Sequence, residues 1–157
     1  MAEEIDTGAS TVEQLAGRDL NKNGMVINLA ISGNSRFYDY DWLIDKLGNW
    51  ISTNGTPDLI IVGGASGVDF LVEKWAAGHE IPVAVFSEAW NDPREGLEDT
   101  GRPEAAPTLV DTMLDHATHA LGFPGPKSKW TSIMLRRARE RGIPAVEVAT
   151  PIEDATD

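Results

Sequence analysis

A chain of 157 residues with 41% hydrophobic content suffices for one domain around one core, and with no cysteine it holds no disulfide and no thiolate metal site. Its formal net charge of −12 repels polyphosphate backbones and so disfavours extended nucleic-acid binding. No apolar run reaches the ~20 residues of a membrane span, and Met1 to Gly17 lacks the basic and apolar regions of a signal peptide, so a cytoplasmic protein without membrane contacts is expected.

Residues 1–24 are acidic and polar and read as a flexible N-terminal segment, with Val12 to Leu20 able to form a short helix. The domain follows over 25–149. Met25 to Ser32 is an apolar, β-branched run ending at Gly33 and predicts a buried strand. Tyr40 to Thr53 places Trp42, Leu43, Leu47, Trp50 and Ile51 at helical spacing, and Asn54-Gly55 stops that helix. Asp58 to Val62 is a second strand, ending in Gly63-Gly64, and Val68 to Gly78 a second helix. Ile81 to Phe86 reads as a third strand. Ser87 to Pro107 is long, polar and rich in glycine and proline, and reads as a functional lid or a disordered excursion. Thr108 to His116 predicts a short helix, Thr118 to Phe123 a fourth strand, Thr131 to Arg141 a helix closed by Gly142, and Ile143 to Val148 a last strand. Residues 150–157 read as an acidic tail. Strands alternating with helices imply right-handed crossovers, hence an α/β, Rossmann-like three-layer sandwich with a mostly parallel five-stranded sheet. In such sheets ligands bind beyond the carboxyl ends of the strands, where the strand order reverses.

Three glycine-bearing bends fall at those ends. Gly63-Gly64-Ala65-Ser66-Gly67-Val68-Asp69 follows a strand and opens a helix, so its amides and the helix N-terminus can meet a phosphate or a sugar hydroxyl. It also serves as a tight strand-to-helix turn without a ligand. It is neither a dinucleotide fingerprint nor a P-loop, because Val-Asp stands where Lys-Ser/Thr is needed. Gly33-Asn34-Ser35-Arg36 offers a guanidinium to a phosphate, or is a turn with an exposed arginine. Gly125 leads through Lys127 and Lys129 to Thr131 and Ser132, which read as helix-capping or phosphate-contacting hydroxyls. Six of the 13 basic residues fall within 127–141 (Lys127, Lys129, Arg136, Arg137, Arg139 and Arg141), either a site for one small anion or a solvated helix face. His79, His116 and His119 lack metal-site spacing, and neither a metal nor a cofactor is expected. Asp69 and Glu88 are the candidates for a catalytic carboxylate.

The order of these motifs resembles the YspA-like, YpsA-related branch of the SLOG superfamily, Rossmann-like proteins that also include the Lonely Guy phosphoribohydrolases and DprA. The resemblance rests on Ile31-Ser-Gly-Asn-Ser-Arg36, on Ile61-Val-Gly-Gly-Ala-Ser-Gly-Val-Asp69 with Glu73, on Pro82-Val-Ala-Val-Phe86, and on Phe123-Pro-Gly125 with Thr131 and Arg136-Arg137-Ala138. It implies a nucleotide or nucleotide-derived ligand against Gly33, Arg36, Gly63, Gly64, Gly67, Asp69, Gly125 and Thr131. Some superfamily members cleave an N-glycosidic bond, and DprA-like members bind single-stranded DNA. Two departures stand out. No Arg-Asn pair opens the helix after the long loop, where Ala106 to Val110 lies, and the position of the Lonely Guy glutamate near Thr131 is taken by Met134 and Leu135. Glycosidic cleavage needs a placed carboxylate. The expectation is therefore a nucleotide-binding domain, with N-glycosidase activity and single-strand binding as alternatives. Homo-oligomers are common in the superfamily, and Trp42 or Trp50, if exposed, offer an apolar face for a second copy.

Overall fold

The computed structural model describes residues 14–22, 24–63, 67–86, 107–126 and 128–151. Five strands, β1 (Asn28–Gly33), β2 (Leu59–Val62), β3 (Val83–Val85), β4 (His119–Phe123) and β5 (Ala145–Glu147), form one parallel sheet in the order β3-β2-β1-β4-β5. The first two crossovers are helices α1 (Tyr40–Asn54) and α2 (Val68–Gly78); the last two are α3 (Pro107–Leu114) and α4 (Lys129–Glu140). The protein is thus the Rossmann-like α/β sandwich that its alternating pattern predicts. The order reverses between β1 and β4, which creates a crevice at their carboxyl ends.

Alternation along each strand builds two cores. Leu29, Ile31, Ile60, Val62, Leu121 and Phe123 face α1 and α2, where they meet Leu43, Leu47, Trp50, Val68, Val72 and Trp75. Ala30, Leu59, Ile61, Ala84 and Ala120 face α3 and α4. Small side chains on that second face let α4 approach closely. A Cβ on Gly122 would lie 2.8 Å from Leu135 Cδ1.

Trp42 and Trp50 do not form an exposed face. Trp50 belongs to the first core, and Trp42 packs edge-on against Phe37 and Phe123 with ring centroids 5.1 and 6.0 Å away. Their spacing along α1 turns them toward the sheet, so burial rather than self-association accounts for them. No helix among the described residues is long and apolar enough to cross a membrane.

Local chemistry sets several boundaries. Asp39 caps α1 by accepting a bond from the Trp42 amide at 3.1 Å, and Gly55 ends it with φ 112°. β1 begins at Asn28 rather than Met25 because the Ile27 amide is taken by the Asp58 carboxylate at 2.8 Å. The other oxygen of Asp58 accepts the Asn21 amide at 2.8 Å, so Asp58 ties residues that read as part of a flexible segment to the amino end of the sheet.

His119, at the amino end of β4, contacts Trp50 edge-on at 5.6 Å, and Thr118 Oγ1 lies 2.7 Å from its Nδ1. Burial lowers its pKa from 6.5. The neutral ring is thus favoured in the folded state, while the unfolded chain takes up the proton as pH falls through 6.5. The corresponding stability is present above about pH 6.5 and is lost as pH drops toward the folded pKa. The urea midpoint should fall between about pH 7 and 5, and His119→Gln should flatten that part of the profile.

Candidate functional site

The bends after β1, β2 and β4 meet at one residue, Asn34. Its amide donates to Phe123 O at 2.9 Å and extends the β1–β4 pairing by one residue. Its carbonyl accepts the Val68 amide at 3.1 Å, and its side-chain oxygen accepts the Arg36 amide at 2.9 Å. Its Nδ2 donates to Thr150 Oγ1 at 3.2 Å, and Thr150 in turn donates to Pro124 O. Asn34 is therefore the hub of the rim, with its side chain engaged inside the protein. Thr150, which reads as the head of an acidic tail, is buried beneath that rim.

The glycines around this hub have a packing reason of their own. A Cβ on Gly33 would lie 2.7 Å from Val68 Cβ, one on Gly67 would lie 2.5 Å from the carbonyl carbon of Ser35, and one on Gly125 would lie 2.7 Å from Asn34 Cγ. Gly67 also holds φ 69° and ψ −125° at the start of α2, a conformation that a side chain resists. Three loops can come this close only where no side chain intervenes. Gly63 is buried at the end of β2, while Gly64, Ala65, Ser66, Glu88 and Lys127 lie outside the described residues.

Two amides at this rim are held by hydroxyl groups. Gly67 N donates to Tyr38 Oη at 3.1 Å, and Gly125 N donates to Ser128 Oγ at 2.8 Å. Hydroxyls accept as an anionic oxygen does, but on side chains that can rotate away. Neither Tyr38 nor Ser128 is apparent from sequence spacing, because the first pair joins residues 29 apart and the second lies within an unassuming Pro-Lys-Ser-Lys run. Helix α4 starts two residues earlier than its apolar period suggests, so Thr131 and Ser132 sit in its first turn. Thr131 is fully buried, with its hydroxyl 2.9 Å from Ser32 Oγ, whereas Ser132 is exposed and lines a recess of about 340 Å³ with Gly125, Glu147 and Thr150. Ser35 is half-buried and Arg36 exposed beside the hub. Asp69 lies buried in the first turn of α2, and Glu73 one turn on; the carboxylate oxygens Asp69 Oδ1 and Glu73 Oε2 are shut off from solvent.

The basic cluster is divided by the fold. Arg137 pairs with Asp111 on α3 at 2.8 Å, and Arg141 with Asp115, just past the end of that helix, at 2.9 Å. Lys129 covers the Trp130 ring at 4.9 Å, which leaves Arg136 and Arg139 on the outer surface of α4. Among the described residues no group of His, Asp or Glu is placed to hold a metal ion. A cavity of about 1010 Å³ lies elsewhere, between α1 and α2 near the amino ends of β2 and β3.

The sequence model of the YspA, cpYpsA-related SLOG family matches residues 27–92, which span β1 to β3 and the first two of the three converging bends. No curated protein matches the chain.

Proposed function

We propose, for a chain whose residues 27–92 are those of the YspA, cpYpsA-related SLOG family, that it binds a nucleotide or nucleotide-derived ligand at the carboxyl ends of β1, β2 and β4. The observation that carries this reading is the meeting of the three bends at Asn34, at the point where the strand order reverses. The phosphate of the ligand takes the Gly67 amide at the head of α2, where the helix dipole favours negative charge, and displaces the Tyr38 hydroxyl. Arg36, exposed beside the hub, supplies positive charge for the anion on a protein of net charge −12. Ser35, Lys129 and Ser132 line the approach.

A thermal-shift screen with AMP, ADP-ribose and cyclic ADP-ribose tests the reading. A true ligand at a hundredfold excess over its dissociation constant adds about 2.7 kcal/mol of stability. Arg36→Gln should weaken that ligand by roughly tenfold to a hundredfold, the range of a charge-assisted hydrogen bond. Tyr38→Phe should tighten it by up to about tenfold, because the amide no longer has a competing acceptor. Silence across the panel, or a ligand indifferent to Arg36, contradicts the proposal.

Cleavage of an N-glycosidic bond is a second reading, supported by the shielded carboxylates of Asp69 and Glu73 one helical turn apart. Under it, Asp69→Asn abolishes release of ribose 5-phosphate from a nucleoside monophosphate while the nucleotide still binds. Glu88, the other candidate acid, is tested by the same assay.

A further inference from the structure

The groove between α1 and α2 has a floor that includes Tyr40, Ile44, Trp75 and Pro82 and a rim of Asp41 and Asp45 on one side and Glu80 on the other. No lysine or arginine lines it among the described residues. Two positions along it carry a residue that local stability does not favour. Gly48 sits in the middle of α1, where glycine costs helix stability relative to alanine, and a Cβ there would meet nothing within 4 Å. Neither a turn nor a close approach inside the chain requires that glycine. Glu80 holds φ 57°, a left-handed conformation suited to glycine or asparagine, yet it places a carboxylate on the rim. Local rules broken side by side on one surface point to contact with something outside the chain.

Charge selects the occupant. The segments outside the described residues are themselves acidic: residues 1–13 and 152–157 contain no lysine or arginine, and residues 87–106 hold six acids against Arg94 and Arg102. An acidic rim repels all three. The complementary surface is on the opposite face of the same molecule. Along α4, Lys129, Ser132, Arg136 and Arg139 are exposed at spacings of three and four, one stripe of a helix. Their alkyl stems can cover an apolar floor, and guanidinium planes stack on a ring such as the partly exposed Tyr40. Gly48 removes the side chain that would otherwise hold an entering helix away.

We infer that the α1–α2 groove receives helix α4 of a second copy of this chain, so that copies join front to back. Groove and stripe lie on different faces, so the contact is heterologous, and repetition generates a chain or a closed ring rather than a two-fold dimer. Long-range repulsion between molecules of charge −12 is screened at ~0.15 M salt, where pairs in contact still attract; at ~1 M both fade.

Sedimentation velocity and light scattering on the full chain test this. The wild type should show a mass that rises with concentration above the 17.0 kDa of one chain at ~0.15 M salt and returns to one chain at ~1 M. The groove variant Asp45→Lys/Glu80→Lys should be a single chain, as should the stripe variant Arg136→Glu/Arg139→Glu, each with its thermal transition retained. Should the stripe variant not fold, Arg136→Gln/Arg139→Gln replaces it. Mixed one to one, the two variants should form a capped pair of two copies, because one intact groove and one intact stripe remain between them. A wild type that stays a single chain at ~1 mM and ~0.15 M salt overturns the inference, including the case in which the groove serves a foreign cationic partner. Oligomers that survive both variants, or a mixture that stays as single chains, overturn it as well.

Discussion

Gly67→Ala should destabilise the protein by about 3–5 kcal/mol, the largest effect of any single substitution at the rim. Two costs add. The backbone there has φ 69° and ψ −125°, which penalises any side chain by about 1–3 kcal/mol. The new Cβ also points into the Asn34 and Ser35 backbone, which can yield only by separating the bends after β1 and β2; overpacking of that kind adds about 1–3 kcal/mol. The melting temperature should fall by roughly 10 °C or more for a chain of this size. Gly48→Ala is the matched control. Its Cβ enters open space in a helix interior, so the same change should stabilise by up to about 1 kcal/mol. Equal effects at the two positions in calorimetry would mean that the loops do not meet as described.

Asp58→Ala should cost about 3 kcal/mol or more. The carboxylate is almost wholly buried and accepts two backbone amides, Ile27 and Asn21, both at 2.8 Å. Alanine leaves the buried Ile27 amide without its acceptor, and each bond to a charged group is worth about 1.5–3 kcal/mol. Asp58→Asn keeps one acceptor oxygen and should lose less. Because Asn21 also donates its side-chain amide to Thr56 O and Pro57 O, its release should expose residues 14–22 to protease. Urea unfolding gives the first number and limited proteolysis the second. A drop in stability without new cleavage would mean that Asp58 holds the sheet edge but not the N-terminal segment.

Much of the fold was legible because its signals are local. Helix α2 occupies Val68–Gly78, as the run from Val-Asp to Gly-His indicates, and β2 begins one residue after Asp58. Disagreement is concentrated where tertiary contacts override local pattern. Ile81 and Phe86 read as strand, yet β3 is confined to Val83–Val85, since Pro82 has no amide to donate; its carbonyl and the Phe86 amide still bond to β2. β5 shrinks to three residues at the sheet edge, where one neighbour is missing.

The site was legible only in part. Glycine-rich bends at strand ends can be read from sequence, but not that Gly67 and Gly125 clear space for Asn34 while Gly33 clears it for Val68. That fact depends on strand order, which alternation leaves open. Thr131 reads as a helix-capping or phosphate-contacting hydroxyl and is instead buried, its hydroxyl bonded to that of Ser32 in the core. Thr150 reads as the start of a tail but is held by Asn34. Tyr38 sits next to the buried Phe37 in a stretch with no motif, and its role follows from a contact to Gly67 that no local pattern encodes.

An NMR titration of the amide spectrum with AMP, followed by ADP-ribose, shows whether the rim around Asn34 is the ligand site. Saturable shifts are expected at Gly33, Arg36, Gly67, Gly125 and Ser132, with Tyr38 responding as its hydroxyl leaves the Gly67 amide. Shifts confined to the α1–α2 groove around Ile44, Gly48 and Trp75, or an unchanged spectrum with both nucleotides at ~10 mM, well above any specific dissociation constant, would contradict it.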